Sequence, residues 1–161
     1  MMTRNEKGYE MEELLQTIAG APRVEYITTA EGFTEAAERS LESRERVIYY
    51  LGRAEILMDA YAQAYEDGYY IPTRIERGIK VMMLVEDTPM MRRYRDSDGP
   101  QVRETRSLPP DADFRHSFMV HDDTVVFFMK TGGGAAGLSI VSPGIAETMK
   151  TVFHAIWQRG T

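Results

Sequence analysis

The stretch FRHSFMVHDDTVVFF, residues 114–128, sets a histidine ahead of an apolar run, an acidic pair and a second apolar run. Those residue types in that order are the ones a phosphodiester-cleaving site uses. A histidine attacks phosphorus and holds it as a phospho-enzyme intermediate. A lysine two positions on neutralises phosphate charge, and an aspartate follows, in the spacing H-x-K-x-x-x-x-D. Two registers fit. From His116 the lysine position is Phe118 and the acid is Asp123; from Arg115 they are Ser117 and Asp122. Neither register has the lysine, only the first has the histidine, and no second copy supplies a leaving-group acid. Asp122-Asp123 also makes a good turn in its own right. The expected role of the stretch is a β-hairpin and not an active site, with a residual phosphodiesterase as the alternative.

Little else in the sequence offers catalysis. The 161 residues include three histidines and no cysteine, which removes disulfides, thiolate metal sites and cysteine nucleophiles. No metal and no cofactor are expected. The net charge of −6 argues against nucleic-acid binding by this chain alone. TGGGAAG (131–137) is glycine-rich, but it leads into the strand-like LSIVS and opens no helix, so it is not a phosphate cradle. It reads as a flexible hairpin connection or a flap over a pocket. Arg74 and Arg77 share one helix face. Arg103 and Arg106 fall on opposite faces of a strand; whichever points inward needs a carboxylate or a ligand. Tyr49, Tyr50, Tyr61, Tyr65, Tyr69 and Tyr70 are either core or the aromatic wall of a sugar site.

Periodicity supplies the elements that must position these residues. Met11, Leu14, Leu15 and Ile18 predict a short helix over 10–18, ended by Gly20 and Pro22. RVEYIT (23–28) alternates as a strand with Val24, Tyr26 and Thr28 on one face, and 31–43 form an amphipathic helix. RVIYYLG (46–52) and IKVMMLVE (79–86) read as strands buried on both faces. Between them a helix starts near Ala54, with Ile56, Leu57, Ala60, Tyr61, Ala64 and Tyr65 as its buried stripe; Asp67-Gly68 interrupts it and IPTRIERG resumes it. A short helix follows Thr88-Pro89, then strands at 102–108, 116–121, 124–130 and 138–141. The last helix, capped by Ser142 and Pro143, carries Ile145, Met149, Val152, Phe153, Ile156 and Trp157 on its apolar side, with Lys150 on the opposite arc. The expected fold class is α/β, a mixed β-sheet flanked by helices. Residues 1–20 form an N-terminal helical appendage and 21–161 one domain.

Five stretches in order resemble the effector domain of TrmB-type transcriptional regulators: APRVEYITTAEGFTEAAERSL (21–41), YYIPTRIERGIKVMMLVEDTP (69–89), RETRSLP (103–109), HDDTVVFF (121–128) and SPGIAETMKTVFHAIW (142–157). The resemblance implies a phospholipase D-like fold whose catalytic motif has been lost. It implies a cytoplasmic regulatory domain that senses a small-molecule effector, such as a sugar, and forms a homodimer, with no membrane role. Family members carry an N-terminal winged helix-turn-helix and a linker helix. Neither precedes residue 21 here, so DNA contact is expected only through a helix-turn-helix absent from this chain, and 10–18 as the tail of a linker or dimerisation helix. The alternative is a dimerisation module without a ligand. Arg106 in RETR stands at a position typical of the family. The residues expected to meet a ligand are Arg115, His116, Ser117, Arg106, Tyr50 and Arg74.

Overall fold

Two strongly apolar runs of the sequence form adjacent parallel strands within a seven-stranded mixed sheet whose central strand is antiparallel to the first of them. The computed structural model describes residues 20–161; the helix expected over 10–18 lies outside them. In chain order the elements are β1 (Arg23–Ile27), α1 (Ala30–Ser40), β2 (Val47–Gly52), α2 (Ala54–Ala60), α3 (Gln63–Tyr65), a π-helical turn (Glu66–Tyr70) and α4 (Ile71–Glu76). They continue with β3 (Lys80–Val85), α5 (Pro89–Arg95), β4 (Arg103–Ser107), β5 (Ser117–His121), β6 (Thr124–Thr131), β7 (Gly134–Val141) and α6 (Pro143–Trp157). The strand order is β1-β7-β6-β5-β2-β3-β4. β2, β3 and β4 are parallel, as their helical crossovers require. β5 runs antiparallel to β2, and the pairs β5–β6, β6–β7 and β7–β1 are also antiparallel.

The alternation of β5 divides its side chains between two cores. Met119 joins Tyr50, Met83, Phe128 and the helices α1 and α2 on one face. Phe118 and Val120 join Leu51, Leu84, Phe153 and Trp157 of α6 on the other. Each such fully buried apolar side chain contributes roughly 1.5–3 kcal/mol. Ser142 caps α6 as expected, its hydroxyl accepting from the Ile145 amide at 3.4 Å. Among the described residues no helix is long and apolar enough to cross a membrane.

Four local expectations are corrected. The helix begun at Ala54 stops at Tyr61, which is extended and turned into the core, so Ala64 is exposed and not part of a buried stripe. Asp67-Gly68 does not interrupt the second helical segment. The chain passes through them as a π-turn whose closing bond runs from the Ile71 amide to the Glu66 carbonyl. Pro72 has no N–H for the carbonyl an α-helical ladder would pair with it, and Gly68 imposes no side chain on the widened turn. The glycine-rich stretch is strand up to the turn itself, because Gly134–Gly137 pair along β6. Lys150 is not on the solvent arc of α6; it is buried, with its ammonium 2.8 Å from Glu45 and 3.1 Å from Glu147. The apolar face predicted for β1 exists, but Val24 is 50% and Tyr26 80% exposed, since α6 does not extend over that edge strand.

The β5–β6 turn is tied down from outside. Asp122 adopts φ 46°, a left-handed conformation that aspartate tolerates better than most residues. Its carboxylate accepts from the amides of Arg44 and Glu45, both at 3.0 Å, and from the Ser43 hydroxyl at 3.3 Å. Burial alone raises this carboxyl. The Glu45 and Arg44 amides, His121 and the Arg44 guanidinium more than offset that and hold it below the ordinary aspartate value. Replacing Asp122 by alanine is expected to cost about 2–3 kcal/mol, because it strands two amides and forces a left-handed alanine. Asp122→Asn, which keeps the turn and one acceptor, is expected to cost less. Urea unfolding measures both; an alanine variant within about 0.5 kcal/mol of the parent contradicts the assignment.

Candidate functional site

The residues of the opening motif are held apart from one another. Arg115 and His116 are exposed just ahead of β5. Asp122 and Asp123 sit past its far end, roughly 16 Å away for a five-residue strand. Asp123 pairs with Arg44 at 3.2 Å. Ser117, in the lysine position of one register, is buried. Its hydroxyl accepts from the Arg53 amide at 2.8 Å and donates to the Arg53 carbonyl at 3.1 Å. It lies against Gly52, whose φ is +132° and where an added Cβ would fall 2.5 Å from the Ser117 hydroxyl. That contact is why the strand end reads LG: any side chain there collides with β5. Phe118, the lysine position of the other register, is core beneath α6.

Arg106 lies across the sheet from these residues. Its guanidinium stands 4.3 Å over the Trp157 ring and pairs with Glu104 at 3.2 Å, joining β4 to α6. The inward-facing arginine of β4 is Arg103, which is buried and finds the carboxylate such a residue requires in Asp98, at 2.6 Å. It also donates to Gln101, Ser97 and the Tyr94 carbonyl, and it lies 3.7 Å over the Tyr94 ring.

Tyr50 and Arg74, by contrast, meet at one cavity of about 60 Å³ on the α1 side of the sheet. Its floor is Ile48 and Tyr50 of β2, Val81 and Met83 of β3, and Met119 of β5. Its roof is the run from Tyr61 through the π-turn to α4, which contributes Tyr65, Glu66, Tyr70, Ile71 and Arg74. Tyr94 and Arg103 close one end. Room for roughly four waters is all this volume offers, well below the several hundred Å³ of a drug-sized site. A larger ligand therefore requires the roof to move outward.

Most polar groups at the wall are spoken for. Tyr50 donates to the Arg53 carbonyl at 2.7 Å, Tyr65 to Glu38 at 2.9 Å, and Tyr70 shares a bond with Ser40 at 2.8 Å. Arg74, 2% exposed, donates to the carbonyls of Ile79, Val102 and Gln101, and burial lowers its pKa. The buried Tyr61 hydroxyl has no partner among the described residues. Burial raises the Glu66 carboxyl to about 7; Asp67 adds to this and Arg103 opposes it. Elsewhere on the same face, His121 is buried with both ring nitrogens unpartnered among the described residues, and burial lowers it to about 4, with Asp122 opposing. Among the described residues no His, Cys, Asp and Glu side chains group as a metal ion would need.

The roof tyrosines were visible in the sequence as an aromatic set. Glu66, Tyr94 and Arg103 were not singled out for the site. A carboxylate among four tyrosines, just ahead of a glycine and a proline that deform the helix, is the signal that could have found it.

The sequence matches no protein-family model and no curated protein. Among solved structures the fold is shared with TrmBL2, an archaeal chromatin protein with a novel mode of DNA binding, at 19% identity and TM-score 0.60. That match covers 97% of this chain and 62% of TrmBL2, so this chain spans less than two thirds of that protein. Nuc of Salmonella typhimurium, a phospholipase D family member, is similar at 15% identity and TM-score 0.58, over 87% of this chain and 97% of that one. NucT of Helicobacter pylori is similar at 8% identity and TM-score 0.60, over 87% and 98%.

The two shifted groups have opposite effects on stability. His121 binds fewer protons folded than unfolded between pH 4 and 6.5, so its contribution rises with pH across that window. Glu66 binds more protons folded than unfolded between pH 4.5 and 7, so its contribution falls with pH. Glu66→Gln removes the second slope. The variant is expected to match its parent near pH 4.5 and to exceed it by about 1–2 kcal/mol above pH 7, allowing for partial solvent screening. Denaturation midpoints across this range measure the difference, and parallel curves refute it. In fold, the chain is phospholipase D-like, sharing its architecture with these three solved structures.

Proposed function

We propose that this chain is the non-catalytic effector-sensing domain of a cytoplasmic transcriptional regulator, binding a small metabolite and acting as a homodimer. The observation that carries the reading is the cavity beneath α2 to α4, with the Tyr61 hydroxyl, unpartnered among the described residues, at its wall and a π-turn in its roof. A sensor needs two states that a ligand distinguishes. The conformation with the roof seated on the sheet is one. A ligand that lifts the roof makes the other, and Arg74 passes the displacement on, since it grips the ends of the segments leading into β3 and β4.

Phosphodiester hydrolysis fits less well. The lysine positions hold Ser117 and Phe118, the first spent on the Arg53 backbone and the second in the core. The fold shared with TrmBL2, described as a chromatin protein that binds DNA, supports a regulatory setting. In this reading a helix-turn-helix domain makes the DNA contact and this chain senses. A sugar is the effector class that the sequence resemblance implies. The free edge strand β1, with Val24 and Tyr26 exposed, supports self-association with a second copy.

A melting-temperature screen across sugars, phosphorylated metabolites, carboxylates and amines tests the sensing role. A ligand present at about a hundredfold its Kd adds about 2.7 kcal/mol, or roughly 5–10 °C for a chain of this size. If no compound raises the melting temperature, sensing is refuted. Sedimentation at micromolar concentration is expected to give a dimer that Tyr26→Lys converts to monomer. A monomeric parent refutes the dimer.

A further inference from the structure

The chemistry left unsatisfied at the cavity wall selects among ligand classes. Arg103 and Arg74 carry the positive charge there, yet both guanidiniums are committed to protein oxygens, the first to the Asp98 carboxylate and the second to backbone carbonyls. An incoming anion finds those N–H groups already engaged. A sugar presents hydroxyls all round, and most would face Ile48, Leu57, Val81, Met83 and Met119. Each hydroxyl buried without a partner forfeits its hydrogen bonds to water.

The unmet capacity is of the other kind. Tyr61, 9% exposed, has a hydroxyl with no partner among the described residues. The Glu66 carboxyl makes no hydrogen bond among the described residues, although it lines the same cavity. Around it stand the rings of Tyr61, Tyr65 and Tyr70, with centroids 6.3 Å apart for the first pair and 6.2 Å for Tyr65 and Tyr70. Aromatic faces attract cations through their quadrupole, more strongly out of water. The Glu66 carboxyl beside them supplies the counter-charge, with Asp67 adding negative charge and Arg103 opposing it, and the apolar floor suits a hydrocarbon body.

We propose that the cavity binds a small organic cation, an amine or quaternary ammonium on an apolar body, with Glu66 as its counter-ion and the tyrosines of the roof around the charge. This rests on the sensing function proposed above and names its ligand class. The raised Glu66 carboxyl suits that role: at neutral pH it holds a proton part of the time, and a cation beside it displaces that proton to solvent.

Titration calorimetry of the full chain at pH 7 decides the matter, with benzyltrimethylammonium as the cation, phenylpropionate as the anion, benzyl alcohol as the neutral probe and maltose as the sugar. The cation is expected to bind with release of about half a proton, read from enthalpies in two buffers of different ionisation heat. The other three are expected not to bind. Glu66→Gln is expected to weaken the cation at least tenfold while the variant stays folded by its melting temperature. Tyr61→Phe is the second variant, expected to weaken it less. Binding of phenylpropionate or maltose in place of the cation overturns the ligand class and leaves the sensing function standing. Cation binding that Glu66→Gln does not weaken overturns the assignment to this cavity. Silence from all four probes overturns the cation inference, and the sensing function falls with it only if the wider melting screen is silent too.

Discussion

β5 is stitched at both ends to both ends of β2. At one end the Ser117 hydroxyl holds the backbone of Arg53 just past β2, and Gly52 lets the strands approach closer than any side chain would permit. At the other, the Asp122 carboxylate holds the Arg44 and Glu45 amides ahead of β2. This seam joins the parallel half of the sheet to its antiparallel half. β2 must carry α2 and the cavity roof on one side while packing on α6 with the other. A slip of one residue between β2 and β5 would send Tyr50 to the wrong face and exchange the two cores.

The cavity follows from that seam. Tyr50 and Met119 are register partners across β2 and β5, and Met83 is the partner of Tyr50 on β3. These three side chains form a flat apolar floor that the short helices α2 to α4 cannot fill. The roof is broken twice, at extended Tyr61 and at the π-turn, and each break turns polar groups inward that a regular helix would have directed to solvent. The burial of Glu66 and of the Tyr61 hydroxyl costs stability. Groups retained at such a cost are a mark of function more often than of architecture.

The opening motif illustrates the difference between pattern and position. Arg115, Ser117 and Asp122 fall at the spacing of one phosphodiesterase register, yet in the fold Ser117 and Asp122 fasten one strand to another and Arg115 faces solvent. Arg106 and Arg103 show the same thing on β4. Their odd separation put them on opposite faces, where an inward-pointing one needs a carboxylate or a ligand, but strand alternation alone did not say which or with what partner. The answer depended on Asp98, in a loop whose course no periodicity describes.

Strand and helix identities, the hairpin at Asp122-Asp123, the cap of α6 and the mixed sheet were all legible in the chain, because they rest on local geometry and on apolar spacing along one element. The resemblance of five ordered stretches brought the phospholipase D-like fold with them. The direction of Lys150 into a cluster of glutamates, the continuity of the helix through Asp67-Gly68 and the enclosure of Glu66 were decided only in three dimensions. Each depends on which groups from distant segments share a small volume: Glu45 against α6, and the β2, β3 and β5 side chains beneath the roof. A linear pattern records which face a residue is on, and only packing decides what that face meets.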